Sequence, residues 1–412
     1  MASRDPNGQS AAPRAPASLR AVLALTWLNS VTTASVTIGL PFIAQAAFDF
    51  NARQNLMLGL ALGLGYIPGA MGVGPGLRRL AERLPWFSTR AAVGAVLTML
   101  AIVGALPWVL RAHPWVIWPA VFFYNMISGA LWPIVESYLS GGRRAERLRT
   151  ATATFNVTWA SAGVAMAWGI APLIDAGHAL LVLPIASLIT ISSSVILLAF
   201  PKEPPRHVHE DHPHPPVYEP LLRVFRFLLP TSYFLMYCLG PLLPTIISRL
   251  QVPVAWATPL ASTYLISRTL VFLLFGVWHG WHGRWRTPLW TGGTLMLGFG
   301  LAVTASSVPV LVVGLALFGI GLGGVYAAAL YYAMEVGGAE VDAGGTHETL
   351  IGLGYTFGPL VGLAGYAAAA GAEKPDAGPL FTVGIALALS ALALGYAVRG
   401  VRKSRNGGIT RP

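Results

Sequence analysis

Charge is what this chain has least of. Only 10% of its 412 residues are Asp, Glu, Lys or Arg, while 55% are hydrophobic; a soluble domain carries about 25% charged residues. That depletion excludes a globular enzyme wetted on every face. Cysteine is nearly missing too. Cys238 stands alone inside an apolar run, so an intrachain disulfide is excluded and the redox compartment is not encoded. No Walker-type phosphate loop occurs, which argues against direct ATP drive by this chain. No set of nucleophiles or metal ligands gathers at one depth, which argues against a membrane-embedded lipid enzyme. The formal net charge is +11, but the basic residues sit in short loops between apolar runs rather than in a stripe on one fold. No nucleic-acid partner is expected from that distribution.

What is abundant is apolar sequence, with a mean hydropathy of +0.62. A hydrocarbon core of roughly 30 Å needs about 20 apolar helical residues, and a backbone in lipid must satisfy its own hydrogen bonds. The runs at 21–45, 55–76, 91–110, 115–138, 151–174, 178–200, 227–249, 254–277, 287–306, 308–334, 348–370 and 379–399 meet that length. The expected fold is an all-α polytopic membrane protein of about twelve transmembrane helices with the bilayer as its solvent. Residues 201–226 form a polar, Pro- and His-rich linker between six-helix halves at 21–200 and 227–400. Residues 1–20 and 401–412 read as polar tails. The first lacks a convincing cleavage site, so the run after it reads as the first span.

Lys and Arg set the orientation. With the N-terminus inside, the inner loops hold Arg78, Arg79, Arg83 and Arg90, then Arg143, Arg144, Arg147 and Arg149, then Lys202, Arg206, Arg223, Arg226, Arg284 and Arg286. The outer loops hold Arg53, Arg111, Arg249 and Lys374. Both termini are therefore expected in the cytoplasm. The 10–11 loop, with Glu335, Glu340 and Asp342, stands apart by carrying no basic residue. Arginine far outnumbers lysine, as in GC-rich bacterial genomes, so the bacterial inner membrane is the expected location.

The 2–3 loop contains Leu80-Ala81-Glu82-Arg83, an acidic–basic step followed by Pro85 and Trp86. The 8–9 loop runs from Gly276 through Gly280 and Gly283 to Arg284. Span 11 carries Gly354-Tyr355-Thr356-Phe357-Gly358-Pro359 and then Gly362. With two six-span halves and an inner central loop, these features resemble the major facilitator superfamily of secondary transporters. Both loop signatures are degenerate copies, and the span 11 run resembles an antiporter motif usually found in span 5. The resemblance implies a monomer of two bundles with spans 1, 4, 7 and 10 around a central cavity.

Arg268 is the sharpest single signal. It lies about nine residues from the cytoplasmic end of span 8, roughly 13 Å deep at 1.5 Å per residue, and a charge there normally faces a cavity or a partner. It reads as an anion-binding residue; the competing readings are an ion pair with Glu335 or Glu348, or snorkelling. Span 4 aligns Asn125, Ser128, Trp132 and Glu136 on one face, with Pro133 expected to kink it. Glu136 reads as a proton carrier or as a helix-end partner of Arg143 or Arg144. Asn29, Thr33 and Thr37 form a polar stripe in span 1, and Tyr233 and Tyr237 lie at i and i+4 in span 7. Asn156 and Trp159 in span 5, with Tyr326 in span 10, offer flat faces with polar edges for an organic solute. The substrate-binding candidates are thus Arg268, Asn29, Thr33, Asn125, Trp132, Asn156, Tyr233, Tyr237 and Tyr326.

His347-Glu348 opens span 11. A zincin would need a histidine at 351, which is isoleucine, so a proton relay or a capped helix start remains. Glu136, His347 and Glu348 are the coupling candidates. Gly319-Ile320-Gly321-Leu322-Gly323-Gly324 fits a dinucleotide pattern, but no strand precedes it, and close helix packing is expected there and at Gly59, Gly63, Gly65 and Gly69. His207, His209, His212 and His214 in the linker read as solvated chain or as a loose metal tract. No resident metal or other cofactor is expected. The function expected from the sequence is secondary active transport of a small organic solute by alternating access, with protons as coupling ion. The alternatives are a divalent metal exporter using the histidine tract, or a receptor or scaffold with the same fold.

Overall fold

Proline and glycine break the first apolar run into two helices. Helix α1 (Leu19–Thr37) ends where Gly39 and Pro41 follow, and α2 (Leu40–Phe48) resumes at an angle of 47°. Pro41 lacks the N–H that would continue the ladder. Gly39 is needed because a Cβ there would press on the Ser35 carbonyl oxygen at 2.9 Å. The computed structural model describes residues 16–84, 86–143, 145–205, 215–337, 341–370 and 377–407, and among them there is no strand.

The rest of the first half comprises α3 (Ala52–Arg83), α4 (Thr89–Val109), α5 (Ile117–Ser140), α6 (Ala145–Asp175) and α7 (Val182–Ser193). Helix α3 opens with a capping box: Asn51 Oδ1 accepts from Gln54 N–H and Gln54 Oε1 from Asn51 N–H, both at 3.0 Å. Its 32 residues span about 48 Å, so Arg78, Arg79 and Arg83 lie on helical turns beyond the apolar stretch rather than in a loop. Pro133 leaves α5 continuous from Ile117 to Ser140.

The second half comprises α8 (Tyr218–Leu239), α9 (Leu243–Arg249), α10 (Val254–Ala261), α11 (Thr263–Val277), α12 (Arg286–Val303), α13 (Val308–Gly337), α14 (Val341–Ala368) and α15 (Ala377–Gly407). Helix α8 starts nine residues before the expected span 7, so Arg223 and Arg226 are helical. Helix α15 extends to Gly407, beyond the expected end of span 12. Among the described residues nine helices are long and apolar enough to cross a membrane, ten if α1 and α2 form one span. Twelve remains the expectation from sequence.

The helix pairings repeat between the halves. In the first, α1 packs on α6 and α7, α3 on α5, and α4 on α5 and α7. In the second, α8 packs on α14 and α15, α11 on α13, and α12 on α13 and α15. The halves meet along two seams, α3 against α14 and α6 against α10 and α11. Small residues make the seams possible. At Gly63 a Cβ would lie 2.5 Å from the Tyr355 carbonyl carbon, so the α3–α14 crossing requires glycine there.

Candidate functional site

Between the two seams lies a cavity of about 100 Å³, lined by α1, α3, α5, α6, α8, α11, α13 and α14. Helices of opposite halves meet on both sides of it. On one side α2 touches α9, and Thr258 Oγ1 of α10 donates to Ala167 O of α6 at 2.7 Å. On the other, Gly276 of α11 abuts Ala153 of α6, and Gly345 of α14 faces the Ala70 carbonyl of α3.

Arg268 enters this cavity from α11 with only 2% of its surface exposed. Its guanidinium carbon lies 4.5 Å from the centre of the Trp159 ring, and Nη1 is 3.9 Å from Met236 Sδ. Nε has no hydrogen-bond partner, and no described carboxylate pairs with the group. The ion-pair and snorkelling readings are therefore set aside. The glycine run of α13 positions it. Gly319 and Gly323 press against the α11 backbone at Tyr264 and Arg268, while Gly321 and Gly324 press against Leu295 and Thr291 of α12. This is close packing on two faces, as the absent strand implied.

Two carboxylates line the same cavity. Glu348 of α14 accepts a hydrogen bond from the Tyr66 hydroxyl of α3, across the seam. Glu136 of α5 is buried, and no described residue forms an ion pair or hydrogen bond with its carboxylate. Its expected alternative partner is engaged elsewhere: the Arg143 guanidinium donates to the carbonyls of Tyr138, Leu139 and Ala17. Arg144 lies outside the described residues.

A continuous belt of rings links Glu348, through Tyr66, to the cation. Tyr66 meets Tyr355 at 4.9 Å, Tyr355 stacks on Tyr237 at 3.9 Å and meets Tyr233 at 5.6 Å. Tyr233 meets Tyr326 at 6.2 Å, and Tyr326 meets Trp159 at 5.1 Å. Thr33 and Ser30 of α1 add two hydroxyls to the cavity wall, and the buried Ser30 hydroxyl has no partner among the described residues. Unpaired buried polar groups cost about 1–3 kcal/mol each, and a cluster of them around one space is suited to a polar ligand.

Of the residues expected at the site, Arg268, Thr33, Trp132, Tyr233, Tyr237, Tyr326, Glu136 and Glu348 line the cavity. The others do not. Asn29 turns to α7, with Nδ2 donating to Ser193 Oγ at 2.9 Å and Leu25 O at 3.0 Å. Asn125 ties α5 to α3 through Nδ2 and Leu62 O at 2.7 Å. Asn156 stands behind the wall and accepts from Trp159 Nε1 at 3.2 Å. His347 packs edge-on against Tyr326 at 5.5 Å, outside the lining, with a buried Nε2 that has no partner. Tyr66, Phe155 and Met236 line the cavity without having been expected there. The histidine tract at 207–214 lies outside the described residues, and no group of metal-binding side chains occurs among those described.

No protein-family model matches the chain, and no curated protein does. Solved structures do match. The POT family transporter PepTSo aligns with 95% of this chain and 99% of its own at TM-score 0.68 and 13% identity. The nucleoside transporter NupG aligns with 92% and 98% at TM-score 0.65 and 14% identity. The E. coli fucose:proton symporter FucP aligns with 92% and 98% at TM-score 0.57 and 13% identity. The fold is that of major facilitator-type transporters, and the chain is an integral, multi-pass membrane protein.

Proposed function

We propose that the chain is a secondary active transporter that moves a small organic solute with an anionic group by alternating access. The observation that carries this reading is Arg268, a buried cation without a carboxylate partner among the described residues, facing a space lined by both halves. A lone charge in a low-dielectric interior costs several kcal/mol. A transported anion offsets that cost when it docks. The solved structures of similar fold bear names of nucleoside, fucose:proton and peptide-type transporters, which supports a small solute as cargo.

Protons are the proposed coupling ion, carried by Glu136 and Glu348. The two face one cavity from opposite halves, so rocking of the bundles changes their separation and hence the work of ionising both. His347 stands next to Glu348 and behind Tyr326, where it would act through those neighbours. The Lys and Arg distribution supports an inner-membrane location with both termini cytoplasmic, and the protein acts as a monomer.

A Cys238→Ala background with a single cysteine at Thr33 tests alternation. In oriented vesicles, a membrane-impermeant maleimide added to either side alone should label the site. Labelling from one side only, under every ion gradient applied, would rule the mechanism out.

A further inference from the structure

We infer that the solute is a zwitterion with a flat apolar body: a carboxylate docks on Arg268, a ring lies against Trp159 and Tyr326, and an ammonium reaches Glu136 or Glu348. This rests on the transporter reading and adds its substrate class.

The first argument is that the charges stay apart. Arg268, Glu136 and Glu348 line one cavity, yet among the described residues none pairs with another. Opposite charges buried together gain by closing on each other. Here the helices hold them separate, with Tyr233 and Tyr326 lining the same cavity. A ligand with one sign at each end would complete both poles at once, whereas a simple anion would leave the acidic pole unmatched.

The second argument is the charge count of the closed cavity. Arg268, one ionised carboxylate and one protonated carboxylate sum to zero. A zwitterion keeps that sum at zero with one proton aboard. A monoanion would leave one uncompensated negative charge in low dielectric unless a second proton entered.

The third is the placement of each pole across the seam. Arg268 of the second half lies on Trp159 of the first. Glu348 of the second half shares its cavity with Glu136 of the first. A ligand spanning the two poles therefore touches both bundles and favours their closure.

Titration calorimetry on purified protein in nanodiscs would test this with L-phenylalanine and L-phenylalanyl-L-alanine as zwitterions of two pole spacings. The controls are 3-phenylpropanoate, which lacks the amine, and phenethylamine, which lacks the acid. One zwitterion should bind at least about tenfold more tightly than both controls, since deleting a pole leaves a buried charge unpaired. Glu136→Gln with Glu348→Gln should remove the advantage over 3-phenylpropanoate. Arg268→Gln should remove the advantage over phenethylamine, and Arg268→Lys should restore part of it. Equal binding of 3-phenylpropanoate, tightest binding of phenethylamine, or no binding by any probe would each overturn the inference. The maleimide assay uses none of these probes, so the transporter reading stands or falls separately.

Discussion

The guanidinium of Arg268 lies 4.5 Å from the centre of the Trp159 ring, so a charge from the second half rests on an aromatic face from the first. The contact partly replaces a counter-ion. A desolvated cation–π pair contributes about 2 kcal/mol, less than the several kcal/mol that burying an ion costs. The difference is a strain that function explains and stability does not.

Replacing Arg268 should therefore separate the two properties. Arg268→Met removes an unpaired buried charge at similar volume. It should raise stability by about 1–4 kcal/mol while abolishing uptake of the transported solute. Thermal unfolding in detergent and uptake into proteoliposomes would check both. A fall in melting temperature would mean that Arg268 has a structural partner after all.

The Tyr66–Glu348 hydrogen bond joins α3 to α14 at the cavity wall. Tyr66→Phe removes the donor without changing shape, at a cost of about 1.5–3 kcal/mol for a bond to a charged group. Because the bond spans the seam, the loss should appear as easier separation of the halves. The single cysteine at Thr33 should react faster in the Tyr66→Phe background. An unchanged labelling rate would show that the bond does not restrain the seam.

The crossing of α3 and α14 gives a sharper structural test. Gly63 faces the Tyr355 backbone, whereas Gly72 on the same helix has open space where a Cβ would go. Gly63→Ala should destabilise the protein by about 1–3 kcal/mol through overpacking. Gly72→Ala should be neutral, or stabilising by up to about 1 kcal/mol from helix propensity. Melting curves of the two variants, side by side, would decide it.

These helices show what the sequence could and could not reveal. Length and hydropathy place the helices, because lipid demands both. Arg268 is visible as a charge within an apolar run, and Glu136 and Glu348 as acids at the ends of such runs. Tyr66, Phe155 and Met236 are not visible, since aromatic and thioether side chains serve lipid, core and cavity equally. The polar stripe of α5 misleads for another reason. Asn125 and Glu136 share a face, but crossing helices change neighbours with depth, so Asn125 meets α3 while Glu136 meets the cavity. Spacing fixes the face of a helix and leaves its neighbour undetermined.

That distinction makes the last prediction. Asn29 and Asn125 bond to neighbouring helices and stand off the cavity, so their loss should cost stability and spare affinity. Interhelical hydrogen bonds in membranes average about 0.6 kcal/mol, and the Asn125 bond at 2.7 Å should exceed that average because it satisfies a buried N–H donor. Asn29→Ala and Asn125→Ala should each lower the melting temperature while leaving KM for the transported solute within about twofold, since truncation removes no ligand contact. Thr33→Val, in contrast, deletes a hydroxyl on the cavity wall. It should raise KM and leave the melting temperature unchanged or slightly higher. If the asparagine variants shift KM and the threonine variant shifts only stability, the boundary drawn here between cavity wall and helix seam is misplaced.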